Sequence, residues 1–220
     1  MAYSARAAGE VKMAWHEKVL DRSGRDAARR LACAAGGNFY LAGGTGLALR
    51  LGHRISLDLD LFSDRLLNQS DRLALKKTLE TSGKVEILDE KDGTCHLRLG
   101  NTAVSLFHYP YRLLKPPSKW TGLKIASVED IAAMKLSAIV SRGLKKDFID
   151  LFFVCRSHKA PDLFKWAERK FPGHPNFAVQ AAKALVYFED AEKEPMPKML
   201  KPAAWPGIKA FFEKEITKLF

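Results

Sequence analysis

Cysteine is scarce in this chain and never paired: Cys33, Cys95 and Cys155 are the three present among 220 residues, far apart and without a Cys-x-x-Cys spacing. That pattern excludes a disulfide framework and a cysteine-based zinc site, and it fits a reducing cytoplasmic compartment. No apolar run approaches the length of a membrane span, and the opening MAYSARAAGEVKMAW has no apolar secretion-signal core, so neither an anchor nor a leader is expected. Internal repeats and low-complexity tracts are also missing. Acidic residues are in short supply, with 25 Asp and Glu against 36 Lys and Arg, a formal net charge of +11. Charge speaks to partners and not to fold; this balance points to a polyanion, nucleic acid first. The apolar share of 47% is ample for a core, and the length allows one large domain or two small ones.

The chain is organised around Phe39 to Ser63, FYLAGGTGLALRLGHRISLDLDLFS. A short apolar run, Phe39 to Ala42, meets Gly43-Gly44, which favours a buried strand ending in a tight turn. Thr45 reads as a helix N-cap and Gly46 to Leu51 as one or two helical turns. Leu57 to Phe62 then alternates with period two, with Leu57, Leu59 and Leu61 on one face and Asp58 and Asp60 on the other. The plain reading of Asp-x-Asp is a solvated strand face. Yet residues i and i+2 of a strand lie roughly 6.5–7 Å apart, so both carboxylates can reach divalent ions spaced about 3.5–4 Å.

Strand, Gly-Gly turn, short helix and Asp-x-Asp strand together resemble the nucleotidyltransferase superfamily, and GGTGLALRLGHRISLDLDLF resembles its AbiEii/AbiGii toxin family more narrowly. The resemblance implies that Gly43, Gly44, Thr45 and Ser56 contact the nucleotide, and that Asp58 and Asp60 hold Mg2+ or Mn2+ on a nucleoside triphosphate. It also implies transfer of a nucleoside monophosphate to an acceptor, with RNA, at the acceptor end of tRNA, as the expectation. An antitoxin protein is implied as a possible partner.

Downstream, Ser70 and Asp71 suggest the N-cap of a helix to about Ser82, with Leu73, Leu75 and Leu79 inward. Val85 to Leu88, Thr94 to Leu99 and Thr102 to Phe107 read as strands, the last two a hairpin across Gly100-Asn101. The superfamily often carries a third carboxylate on such a later strand; Ser105 stands there. Residues 108–121, HYPYRLLKPPSKWT, read as a connector whose Tyr109, Tyr111 and Trp120 either pack or stack on bases.

Ser127 to Asp130 has capping-box geometry, opening a helix from Val128 to about Arg142 that Gly143 stops. On a helical wheel Lys135 falls inside the apolar arc of Val128, Ile131, Ala132, Leu136 and Ile139, where an unpaired lysine is costly. Asp150 sits in a segment, KKDFIDLFFVCRSH, that is apolar on nearly every side, whereas Asp147 suits an N-cap. The resemblance assigns Lys135 to the phosphates and matches Asp150 to an active-site acid, making it the candidate third carboxylate, with Asp147 the alternative. Helices are also expected over 161–171, 176–188 and 208–219.

The expected architecture is α/β with a mixed sheet: a nucleotidyltransferase domain over 1–115 with an N-terminal helical cover, then a helical half over 120–220 that completes the cleft. Gly43-Gly44-Thr45-Gly46 has the wrong spacing for a dinucleotide fold, and no phosphate-loop lysine follows it. A phosphotransferase acting on protein hydroxyls, or an inactive homologue that binds RNA or a partner, are the rival readings.

Overall fold

The computed structural model describes residues 14–35 and 37–219; the expectations for residues 1–13 lie outside them. Period-two alternation works as expected in β2 (Leu59–Ser63), where Leu59, Leu61 and Ser63 are buried while Asp60 and Phe62 are half-buried on the opposite face. The pattern starts two residues later than expected. Leu57, expected inside, is 62% exposed, because the chain reaches the sheet only at Leu59.

Around β2, a mixed sheet of seven strands among the described residues runs in the order β3-β4-β5-β2-β1-β7-β6. These are β1 (Tyr40–Leu41), β3 (Glu86–Lys91), β4 (Thr94–Leu99), β5 (Thr102–His108), β6 (Ser118–Trp120) and β7 (Leu123–Ile125). Strand β2 pairs antiparallel with β1 and parallel with β5, with Asp60 opposite Ser105 and Phe62 opposite Phe107. Strand β6 lies within the expected connector and β7 just past it, so the sheet extends beyond residue 115 to Ile125.

One sheet face buries Leu41, Leu59, Leu61, Leu97, Val104 and Leu106 with residues of α1 (Arg22–Ala34) and α3 (Gln69–Glu80). Helix α3 is capped by Asn68 and Asp71, not by Ser70, and Leu73 is exposed while Leu75 and Leu79 are buried. A second core joins α2 (Gly43–Leu51), α4 (Val128–Arg142), α5 (Lys145–Val154), α6 (Ala160–Lys170), α7 (Phe177–Leu185), α8 (Glu189–Glu192) and α9 (Trp205–Thr217). Helix α4 follows its sequence signals: the Ser127 hydroxyl caps it by accepting from the Asp130 N–H, and Gly143 ends it in the left-handed region. Tyr111 and Trp120 of the connector are packed, the indole N–H of Trp120 donating to Glu17. A buried ion pair, Lys170 Nζ to Asp130 Oδ1 at 2.8 Å, fastens the connector, since Asp130 also accepts from the Leu114 N–H. Among the described residues no helix is long and apolar enough to cross a membrane.

Candidate active site

Gly43 and Gly44 open helix α2, whose N-cap residue, Ala42, offers no side-chain acceptor. The amides of its first turn are therefore available to an anion at the positive end of the helix. Gly43 has φ of +59°, and a β-carbon there would stand 2.6 Å from Asp60 Oδ2, so the turn and the aspartate fit only because the side chain is absent. Thr45 corrects the sequence expectation: it lies inside the helix, buried, and not at the N-cap. Its hydroxyl donates to the Asp58 carbonyl and lies 2.8 Å from the Ser56 hydroxyl, tying the glycine turn to the Asp-x-Asp segment.

Asp58, Asp60, Gly43, Gly44 and Ser56 line one wall of a cleft of about 700 Å3, and Lys135, Arg142 and Lys146 line it from the helical side. Neither aspartate carboxylate is engaged in a hydrogen bond or ion pair among the described residues. Burial pushes the Asp60 carboxyl above its ordinary range; Lys135 opposes the shift and Asp58 adds to it. Ser105 also lines the cleft beside Asp60, its hydroxyl 3.0 Å from His96 Nδ1. The serine thus occupies the register position where a third acid was looked for. Among the described residues no three His, Cys, Asp or Glu side chains converge on one point. Two free carboxylates still suit magnesium, which takes one or two carboxylates and completes its shell with substrate phosphates and water.

Asp150 is fully buried beneath the cleft and is not on its wall. Its carboxylate accepts two bonds from Arg54, Nε to Oδ1 at 2.7 Å and Nη2 to Oδ2 at 2.9 Å, and meets Lys135 Nζ at 2.7 Å and His53 Nε2 at 2.7 Å. Burial alone would raise the Asp150 pKa, but Lys135 and Arg54 outweigh it and hold the acid well below the carboxylate range. Burial also lowers the His53 pKa, so the imidazole is neutral near pH 7 and donates from Nε2.

Asp147, expected as an N-cap, lies inside α5 and is equally buried; it accepts from Lys135 Nζ at 2.6 Å and from Arg142 Nε at 3.1 Å. Leucine stands at the N-cap, so the Asp147 side chain is turned to α4. The lysine is desolvated, yet Asp150 and Asp147 more than offset this and raise its pKa. Two buried carboxylates thus hold three cations that face the cleft: Arg54, Lys135 and Arg142.

Sequence reading missed Arg54, whose partner is 96 residues away. It also missed why the segment around Arg54 is held still. The Pro- and Lys-rich loop after α8 pairs with it, Ile55 N–H donating to the Lys198 carbonyl and Leu200 N–H to the His53 carbonyl. Phe62 and Phe107 line the cleft too, and they were legible in retrospect, two residues beyond Asp60 and Ser105 on the same faces.

This fold, with a glycine turn, an Asp-x-Asp segment in which Asp58 precedes β2 and Asp60 lies on it, and a cationic helical wall around one cleft, defines a nucleotidyltransferase. The family described as the nucleotidyl transferase AbiEii toxin of type IV toxin–antitoxin systems matches residues 28–120. A curated relative, the uncharacterized protein aq_aa25 of Aquifex aeolicus, is 36% identical over 185 residues, covering 82% of this chain and 87% of its own. MenT4, a nucleotidyltransferase toxin of Mycobacterium tuberculosis, shares the fold at a TM-score of 0.51 and 15% identity, over 90% of this chain and 85% of its own. The chain belongs to the AbiEii nucleotidyltransferase family.

Proposed function

We propose that the protein transfers a nucleoside monophosphate from a nucleoside triphosphate to a hydroxyl of an RNA acceptor, the acceptor end of tRNA being the expected target, as the toxin of a toxin–antitoxin pair. The observation that carries this reading is the opposition of two carboxylates, Asp58 and Asp60, unpaired among the described residues, to Lys135, Arg142 and Lys146 across one cleft, with Arg54 beside the glycine turn. The acceptor oxygen forms a bond to the α-phosphorus while the bond to the pyrophosphate oxygen breaks; the hydroxyl proton and pyrophosphate leave. Such chemistry needs positioning and charge neutralisation more than covalent groups.

Asp58 and Asp60 would hold the divalent metal, Mg2+ or Mn2+, which when bound neutralises the phosphate oxygens. The first-turn amides of α2 and the Ser56 hydroxyl bind the phosphate chain, and Lys135 supplies a fixed positive charge. Asp150 acts on the substrate through others: it keeps Lys135 protonated and fixes the guanidinium plane of Arg54, and Asp147 does the same for Lys135 and Arg142. Asp150 is therefore a positioning residue in this reading and not a metal ligand. The net charge of +11 supports a polyanionic acceptor, and an antitoxin partner fits the family to which the chain belongs.

The test is pyrophosphate release from each nucleoside triphosphate in the presence of total RNA. It is expected from the native chain and is expected to vanish in Asp58→Ala and Asp60→Ala with the melting temperature kept. Undiminished release from either variant contradicts the assignment of the aspartates.

A further inference from the structure

The cleft face of the sheet does not stop at the carboxylates. Along β2 the same period-two face carries Asp60 and then Phe62, and along the parallel neighbour β5 it carries Ser105 and then Phe107. A row of aromatic rings therefore follows the row of polar groups, roughly 6.5–7 Å further along the strands. Phe62 and Phe107 have ring centroids 5.3 Å apart and planes inclined by 30°, so the two rings pack against each other as a pair in the cleft wall. Tyr109 closes one side of it, edge-on to Phe62 at 5.4 Å, and all three rings line the cleft while remaining half-buried. Phe62 also stacks on Tyr40, centroids 6.0 Å apart, and packs on the second core with Tyr109, so this aromatic cluster joins that core to the cleft and presents only part of its surface there.

We propose that Phe62 and Phe107 form the subsite for the nucleobase of the bound nucleotide, which stacks on their rings while its phosphates lie at the Asp58, Asp60 and glycine-turn end. This inference rests on the function proposed above and extends it. The order of chemistry along the cleft wall, glycine amides and Arg54 with the aspartates first and aromatics next, matches the order of triphosphate, ribose and base in the ligand. A ribose spans the interval between the two rows. Stacking on an aromatic face accepts any base, because each presents a π-face, so the subsite contributes affinity to all four nucleotides and leaves base choice to edge contacts.

The experiment measures the affinities of ATP, GTP, CTP, UTP and inorganic tripolyphosphate for the native chain and for Phe62→Leu, Phe107→Leu and Phe62→Tyr. The leucine variants are expected to lose about ten- to a hundred-fold in nucleotide affinity and none for tripolyphosphate, while Phe62→Tyr keeps both. Equal losses for nucleotide and tripolyphosphate, or equal losses in Phe62→Leu and Phe62→Tyr, overturn the subsite, since either result reports packing and not stacking. So does a loss confined to RNA affinity, which would hand the rings to an acceptor base. Pyrophosphate release separates the two levels: a native chain that binds nucleotides through these rings but releases no pyrophosphate refutes the transfer reaction and leaves the base subsite standing.

Discussion

At the scale of single residues, the glycine turn and Asp60 are one unit. Gly43→Ala places a methyl group against the Asp60 carboxylate and imposes a left-handed backbone on alanine, a strain of about 1–2 kcal/mol. The expected outcome is a fold that survives with a slightly lower Tm and transfer activity lost at least tenfold. Native activity in Gly43→Ala would mean that the close approach has no functional content. Asp60 also makes a pH prediction. Its pKa is raised, chiefly by burial, and its charged form is the one that binds metal, so activity should fall as pH drops through a value above the ordinary aspartate pKa of about 3.9. An acid limb of kcat/KM at or below that ordinary value would contradict it. Asp60 was legible in the sequence from its alternation with Leu59 and Leu61, whereas Asp58, expected on the same strand, lines the cleft from the segment just before it. Thr45 was misplaced because a hydroxyl that follows a Gly-Gly turn looks like a cap, and only the approach of the Asp58 carbonyl gives it its actual partner.

At the scale of elements, α4 and α5 meet through buried charges, and these anchor the cationic side of the cleft. Lys135 and Asp150 were visible as charges on faces that patterning assigns to the core; what they touch was not, because the contacts cross between helices and to Arg54. Removing one partner of such a cluster leaves an uncompensated buried charge, at a cost of about 3–5 kcal/mol. Asp150→Asn is therefore expected to lower Tm by roughly 10 °C and, because Arg54 and Lys135 lose their anchor, to raise KM for the nucleotide. Lost stability with unchanged nucleotide affinity would make the cluster structural only.

The cluster also has a pH signature with a definite sign. Asp150 has a depressed folded pKa, so its contribution is present above the unfolded value and is lost only as pH falls through the folded one. Lys135 has a raised folded pKa, so its contribution is present below the unfolded value and is lost as pH rises through the folded one. Between about pH 7 and 9 Asp150 and Lys135 are both charged and add no slope to stability, whereas below that window His53, buried neutral with a lowered pKa, makes stability fall as pH drops. In that window the melting temperatures of native chain and Asp150→Asn should run parallel.

At the scale of the whole molecule, the α/β sheet followed by helices was readable from the spacing of strands, caps and breakers. The way the halves join was not. Strand β6, formed inside the expected connector, and β7 after it extend the sheet through β1, and the loop around Lys198 returns to clamp the segment holding His53 and Arg54; both are long-range pairings that local periodicity does not encode. The excess of positive charge belongs to this scale as well. If RNA is the acceptor, its affinity should fall steeply with added salt through counterion release, and an affinity that ignores salt would remove RNA from the account. The central claim concerns which phosphorus is attacked, and labelled triphosphate decides it. Incubation with total RNA and with protein should transfer label from the α-phosphate to RNA, transfer none from the γ-phosphate, and do neither in Asp60→Asn. Label passing from the γ-phosphate to protein, or persisting at the α-position in Asp60→Asn, would contradict the account.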